Sequence, residues 1–392
     1  MGCVNGLRNN GWMLFKRIAM RNLLSFRDAE LELGPLNVLI GPNGCGKSNL
    51  LECIGLLQAL PTDLNRALAL GGGAPVWINS SQRAGEVAEL GCEVEVSEGR
   101  VFKYDLGFRA VGQYLQIDFE TGSVGSTHSL NRHGNTTEIT FPLPPHHEKA
   151  SWRFEVQANE SALSAYKDPR QLISEVGKRL DEIKIYQYFD LQASSAMRSG
   201  VSSSANQDFL EQDGSNLATF LHRLDFTQQI ASIESYLHQL SDDFEAIKPR
   251  LGGSFMQTYV RERGLKLATP GMRLSDGTLR FLCLISLLMS SPRPALICID
   301  EPELGLHPDA LSIVARALKE ASEHVQIIVT THSQELVTAM SDQPESVVVC
   351  EKRDNDTGTK FERLSGAKLE SWLEEYTLGE LWRKNEIGGN RW

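Results

Sequence analysis

Gly41-Pro42-Asn43-Gly44-Cys45-Gly46-Lys47-Ser48 follows the GxxxxGK[ST] pattern without a mismatch. The spacing suits phosphate. Glycines let the chain curl so that backbone N–H groups point inward at phosphate oxygens. A helix opening at Lys47 adds the positive end of its dipole to that pull. Lys47 brings a point charge to the β and γ phosphates, and Ser48 offers a hydroxyl to Mg²⁺. A chance glycine-rich turn would have no reason to sit between a continuous apolar run, Leu36 to Ile40, and a helical one, Lys47 to Leu60. This loop does.

Three further constellations follow in the C-terminal third. The apolar run Leu296-Ile297-Cys298-Ile299 ends in Asp300-Glu301-Pro302. Such a strand puts Asp300 at its C-terminal edge, where it can order Mg²⁺, and turns Glu301 toward the γ-phosphate side as a proton acceptor for the attacking water. Taken alone, the pair could be a solvated acidic turn. Upstream, Leu274-Ser275-Asp276-Gly277-Thr278 opens the helical run Leu279 to Met289. Ser275 and Gly277 can present a hydroxyl and backbone N–H groups to a phosphate, although Ser275 or Asp276 also suits a plain N-cap. Downstream, Thr330-Thr331-His332-Ser333 closes another apolar run. His332 can there hydrogen-bond a γ-phosphate or a neighbouring carboxylate.

In this order the four motifs resemble the Walker A, signature, Walker B and H-loop motifs of ABC-type ATPases. More narrowly, RLSDGTLRFL, ICIDEPELGLHPDAL and TTHSQELV resemble the RecF/SMC-like group of stand-alone ATPases, relatives of OLD-family and phage-defence ATPases. The tail WLEEYTLGELWRKNEIGG and the element Asp213-Gly214-Ser215-Asn216-Leu217-Ala218 are also similar to that group. The likeness runs from about residue 13 and is weakest between 61 and 170. It implies an α/β P-loop fold of the ABC-ATPase type, a mixed sheet flanked by helices.

Carried over by position, the resemblance implies that Asn43, Gly44, Cys45, Gly46, Lys47, Ser48 and Asn49 hold ATP. Ser48 and Asp300 would share Mg²⁺, Glu301 would act as base and His332 as γ-phosphate switch. Ser275 and Gly277 would touch the ATP of a second copy, with Gly305-Leu306-His307-Pro308 crossing between the two. Gln187, in Ile185-Tyr186-Gln187-Tyr188, is the expected Q-loop residue. OLD-type proteins carry a Toprim nuclease after the ATPase, and SMC-type proteins carry coiled-coil arms. Neither is visible here, so nuclease or DNA-bridging activity is expected in a partner.

The elements that must position these residues can be read from periodicity. Phe15 to Met20 and Ala29 to Leu33 alternate like half-buried strands, with a turn expected over Arg21 to Asp28. Leu36 to Ile40 reads as a strand covered on both faces. Cys92 to Val96, Val101 to Leu106, Tyr114 to Phe119, Thr137 to Phe141 and Trp152 to Val156 alternate like antiparallel strands. Gly122 to Asn135 reads as a loop, and Ser194 to Asn206 as a mobile one. Leu172 to Ile183 and Asn216 to Phe244 show helical spacing. The expected organisation is a disordered leader at 1–12, ahead of Met13 as a possible start, and an N-terminal ATPase part at 13–60. An inserted antiparallel β lobe at 61–165 and a helical lobe at 166–265 would follow, and then a C-terminal ATPase part at 266–392.

Composition narrows the class. The chain has 392 residues, 41% of them hydrophobic, which is enough for a sizeable core. No run approaches the ~20 apolar residues of a membrane helix, so a soluble protein is expected, without membrane, and the cysteine usage points to the cytoplasm. Seven cysteines, at 3, 45, 53, 92, 283, 298 and 350, form no CxxC pair, which suits a reducing compartment. His146 and His147 lack thiolates at zinc-ligand spacing. Met1-Gly2-Cys3 opens like a myristoylation signal, but Gly6 stands where Ser or Thr belongs. A net charge of −11 allows local DNA contact but gives it no support. The expected activity is that of an ATPase cycling between open and ATP-closed homodimers and driving a partner effector such as a nuclease or toxin. Phage defence or DNA maintenance is the setting the resemblance implies. An ABC transporter motor would bring its signature much closer to Lys47 and need a membrane-docking surface. The rival from another class is an ATP-binding scaffold or sensor with little turnover that holds an effector until triggered.

Overall fold

Alternation of buried and exposed side chains builds the first sheet. In the computed structural model, β1 (Leu14–Leu23) and β2 (Phe26–Glu32) pair antiparallel, with Leu23 opposite Phe26. The hairpin is therefore tighter than the turn expected over Arg21 to Asp28. Leu24 takes a positive φ of 49° to close it. Residues 14–78, 86–97, 99–125, 127–143, 148–168, 171–352 and 358–389 are described. The leader at 1–12, Met13, Cys3 and the His146-His147 pair lie outside them. The six cysteines within them are buried and free. Among these residues no helix is long and apolar enough to cross a membrane.

The chain divides into two compact units. The first comprises Met1–Ile183, Val348–Leu364 and Ile387–Trp392, and the second Lys184–Val347 and Ser365–Glu386. In the first unit β1 and β2 extend, rather than stand apart from, the antiparallel strands that follow. These are β4 (Ala88–Ser97), β5 (Arg100–Val111), β6 (Tyr114–Val124), β7 (Thr127–His133), β8 (Thr136–Leu143) and β9 (Glu148–Glu155). The eight-stranded order is β2-β1-β4-β5-β6-β7-β8-β9, and Phe15, Ile18, Met20, Phe102, Tyr104 and Phe108 supply its buried face.

The stretch from Gly122 to Asn135, expected as a loop, is instead the end of β6 and all of β7. Its glycines had suggested a break. Gly122 in fact makes room within the strand, since a Cβ there would lie 2.7 Å from the Phe102 ring. A buried ion pair fastens the sheet to the segment after β9. Glu120 accepts from Arg132 at 2.8 Å, Tyr104 at 2.6 Å, Ser161 at 2.7 Å and the Ala162 N–H at 2.8 Å.

Also in the first unit, β3 (Leu36–Ile40) is buried at every residue and neighbours the strand Val347–Lys352, beyond which lies Thr359–Arg363. The helix Lys47–Ala59 follows the glycine-rich loop. In the second unit, the strands Leu296–Asp300 and Gln326–Thr330 pair in parallel, with Asp300 opposite Thr330. Helices Asp276–Met289 and Pro308–Ser322 accompany them.

The stretch expected as a helical lobe is mixed. The long helical run from Asn216 to Phe244 is two helices, Leu217–Phe226 and Ile230–Leu240, broken where Gln228 takes a φ of 60°. Around them lie strands of two to four residues in two three-stranded sheets, Val201–Ser202 before the helices and the rest after them. So few residues cannot display a strand period. The serine-rich segment Ser194 to Asn206 is structured around the short helix Ala196–Ser199, whose Arg198 is buried.

Candidate functional site

In the first unit the glycine-rich loop is held in its curl by its neighbours. Gly44 and Gly46 have φ of 75° and 114°, values that cost little only for glycine. Gly46 also has no space to spare: a Cβ would meet Thr359 Oγ1 at 2.6 Å and Ser25 Oγ at 2.8 Å. The Thr359 hydroxyl donates to the Cys45 carbonyl at 2.7 Å, and the two hydroxyls are 2.9 Å apart. Lys47 is buried, and its Nζ donates to the Gly41 carbonyl at 2.8 Å and the Pro42 carbonyl at 3.2 Å. The ammonium thus lies along the glycine-rich loop. Ser48 is exposed in the first turn of the helix, as are Asn43 and Gly44 in the loop, with Asn49 half-buried. A hydrogen bond from the Cys350 thiol, joined by the Lys47 ammonium, pulls the Cys45 thiol down to about 7.

In the second unit the acidic turn and the histidine come together. The Thr330 hydroxyl donates to Asp300 Oδ1, and the Glu301 N–H donates to the Thr330 carbonyl at 3.0 Å. Glu301 holds a φ of 45°, a left-handed conformation that costs a non-glycine residue roughly 1–3 kcal/mol and collects at functional sites. His332 Nε2 lies 3.6 Å from Glu301 Oε1, both side chains about one third exposed. Glu303 accepts from the Thr331 hydroxyl at 2.8 Å and from the His332 N–H at 2.6 Å.

Ser275 caps the helix Asp276–Met289, its Oγ accepting from the Thr278 N–H at 3.1 Å. It remains exposed, as does Asp276. Asp276 pairs with Arg198, whose guanidinium also donates to the Leu274 carbonyl at 2.7 Å. Gly277 is closely approached: a Cβ would lie 3.0 Å from the Gly305 carbonyl oxygen. Gln187 is exposed just past the strand Ile183–Tyr186. Beside it, Tyr188, Phe189, Asp190, Asp213 and Asp276 line a cavity of about 530 Å³.

Mg²⁺ suits the donors present. It is a hard cation that takes one or two protein oxygens and fills its octahedron from phosphates and water. The Ser48 hydroxyl and the Asp300 carboxylate are oxygens of that kind. Sequence reasoning missed the residues behind the motifs, namely Ser25, Thr359 and Cys350 around the loop, and Thr330, Glu303 and Arg198 in the second unit. Only the TT before His332 and the PE after Glu301 gave any local sign of them.

A helix-opening phosphate loop and an acid-ended strand beside a strand-end histidine define a P-loop ATPase of the ABC type. The chain belongs to the family described as "AAA domain, putative AbiEii toxin, Type IV TA system", which matches residues 36–338, and it falls within the RecF/SMC-like group of such ATPases. The DNA replication and repair protein RecF of Magnetococcus marinus is 54% identical over 46 residues, 12% of each chain. The OLD nuclease of Thermus scotoductus is 41% identical over 44 residues, 11% of this chain and 8% of that one. The chain thus matches only a small fraction of the length of these curated relatives. Among solved structures, an SMC head bound to the C-winged helix domain of ScpA superposes with a TM-score of 0.54 at 14% identity, covering 91% of this chain and 99% of that one. An SMC head with an extended coiled coil, bound to the C-terminal domain of ScpA derived from Pyrococcus furiosus, gives 0.55 at 13% identity, covering 93% and 99%. At that identity the likeness is one of fold.

Proposed function

We propose that this chain binds Mg-ATP between two copies of itself and hydrolyses it, passing the resulting closure to a partner effector such as a nuclease or toxin. The observation that carries this reading is the buried Lys47, whose ammonium lies 2.8 Å from the carbonyl of Gly41 in the loop that would cradle the phosphates. Lys47 and the loop N–H groups bind the β and γ phosphates. Glu301 takes the proton of the attacking water, and His332, 3.6 Å from it, contacts the γ-phosphate. Ser48 and Asp300 would hold Mg²⁺, which would supply charge neutralisation at the phosphate oxygens. The exposed Ser275 and the half-buried Gly277 present the helix N-terminus to the ATP of the facing copy, and Gln187 serves as the Q-loop. A DNA-maintenance setting is supported by the DNA replication and repair protein RecF as a partial relative, an anti-phage setting rests on the motif resemblance alone, and a protein partner is supported by the ScpA domains bound to the two SMC heads.

ATP binding and steady-state turnover of the purified chain test this. Lys47→Ala should abolish binding. Glu301→Gln should keep binding and lower turnover by about 10²–10⁴-fold, the usual cost of losing a general base. Ser275→Arg should bind ATP yet not close. Mixed with Lys47→Ala it gives heterodimers with one intact composite site, so activity partly returns if one site suffices. A Ser275→Arg protein that hydrolyses ATP normally as a monomer refutes the shared site. Glu301→Gln turning over like wild type refutes the base.

A further inference from the structure

Glu303 is a third carboxylate close to Glu301 and His332, and the chemistry above gives it no part. It sits in the turn after the strand Leu296–Asp300. Its Oε1 reaches across to the turn after the neighbouring strand, Gln326–Thr330. There one oxygen accepts two bonds, from the His332 N–H at 2.6 Å and the Thr331 hydroxyl at 2.8 Å. The other oxygen, Oε2, is buried and has no hydrogen-bond partner among the described residues. Burial pushes the Glu303 carboxyl up, opposed in part by the bonds it accepts.

A buried carboxylate with one oxygen doubly bonded and the other bare is a poor stabilising device. Each buried polar atom left unpaired costs free energy, and such atoms call for an explanation other than stability. What this carboxylate supplies is geometry. Two bonds to a single oxygen fix the backbone of His332 and the side chain of Thr331 together, so the Cα–Cβ direction of His332 is set. The imidazole then emerges with Nε2 3.6 Å from Glu301 Oε1. Glu301 is held from its own side by its left-handed backbone and by the Thr330 carbonyl. Both members of the pair are therefore fixed by groups that are not themselves in it.

We propose that Glu303 is the positioning residue of His332, orienting the imidazole toward Glu301 and so setting the rate of ATP turnover without touching nucleotide. This rests on the ATPase reading above.

The test uses the full chain and four variants, Glu303→Ala, Glu303→Gln, His332→Ala and the double Glu303→Ala/His332→Ala. A misplacement of about 1 Å can cost on the order of 10²-fold. Glu303→Ala should accordingly lower kcat about 10–100-fold, with KM for ATP moving less than about threefold. Glu303→Gln keeps an acceptor oxygen for both donors and should retain most of the turnover. Once His332 is gone there is nothing left to orient, so Glu303→Ala should cost little more in that background. Additive losses would overturn the proposal.

A second readout does not depend on turnover. The imidazole ¹H–¹⁵N resonances of His332, assigned by their loss in His332→Ala, should shift in Glu303→Ala and stay near wild type in Glu303→Gln at the same pH. Unmoved resonances in Glu303→Ala would also overturn it. Should the wild-type chain fail to hydrolyse ATP, the ATPase reading falls while the resonances still decide the orientation claim. Should Glu303→Ala fail to fold, Thr331→Val removes one of the two bonds and must shift the same resonances in the same direction. If it leaves them in place, the proposal is wrong.

Discussion

Thr330→Val is the sharpest test of how the acidic turn is built. Valine matches threonine in shape, so the fully buried site loses a hydroxyl without gaining a cavity. Two bonds go. One is the donation to Asp300 Oδ1, a hydrogen bond to a charged acceptor, worth about 1.5–3 kcal/mol. The other, from the Glu301 N–H at 3.3 Å, matters less, because that N–H also reaches the Thr330 carbonyl at 3.0 Å. The fold should survive, since about 1.5–3 kcal/mol is a fraction of a domain's ~5–15 kcal/mol. The Asp300 carboxylate, however, becomes free to rotate away from the position in which it would order Mg²⁺. If most of that loss reaches the transition state, turnover falls by about 10–100-fold, at 1.36 kcal/mol per factor of ten. The Mg²⁺ concentration for half-maximal rate should rise in the same variant. Steady-state turnover titrated with Mg²⁺ at saturating ATP measures both. A Thr330→Val protein with wild-type kcat and Mg²⁺ dependence would refute the view that this hydroxyl holds Asp300 for the metal.

Gly46→Ala should weaken ATP binding about 5–150-fold, because a side chain at φ 114° costs roughly 1–3 kcal/mol and its Cβ meets two hydroxyls within 3 Å. Equilibrium titration with a fluorescent ATP analogue measures it, and adding Ser25→Ala should not restore binding if the backbone is at fault. Glu120→Ala strands the fully buried Arg132 and should destabilise the first unit by about 3–5 kcal/mol. Urea unfolding followed by the fluorescence of Trp152 or Trp77 would show it, and an unchanged midpoint would remove the pair from the stability of that sheet.

What could be read from sequence is what lies local in it. A phosphate loop needs its glycines, lysine and serine at fixed spacing because one curl of backbone must do the binding, so Gly41 to Ser48 betray it without any fold. The same holds for Ser275 at its helix start, and for Asp300 and His332, each at a strand end marked by an apolar run. The strands β4 to β6 showed because they are long enough for alternation to repeat. What escaped is what depends on segments far apart in the chain. Nothing near residue 46 announces that Thr359 and Ser25 will stand within 3 Å of where a Cβ would be, since those hydroxyls arrive from the β1–β2 turn and from a strand more than 300 residues on. The composition of Gly122 to Asn135 argued for a loop, because the partner that makes Gly122 useful, Phe102, lies on another strand.

The same division explains why the motif residues and their supports differ in kind. Lys47, Asp300, Glu301 and His332 meet substrate or metal in the proposed chemistry, so their types are dictated by phosphate and water. Thr330 and Glu303 only have to place an oxygen where a carboxylate or an N–H needs it, and several side chains at several positions could do that. In this chain the parallel pairing of Asp300 with Thr330 makes both supports possible at once. It sets a hydroxyl beside the metal-ordering acid, and it brings the turn after one strand within reach of the turn after the other. Glu303 can therefore bond the His332 N–H, and an acid-and-histidine pair whose members are 31 residues apart in sequence is carried by two adjacent strand ends. The register of one strand pair, more than any further motif, fixes the geometry on which the proposed hydrolysis depends.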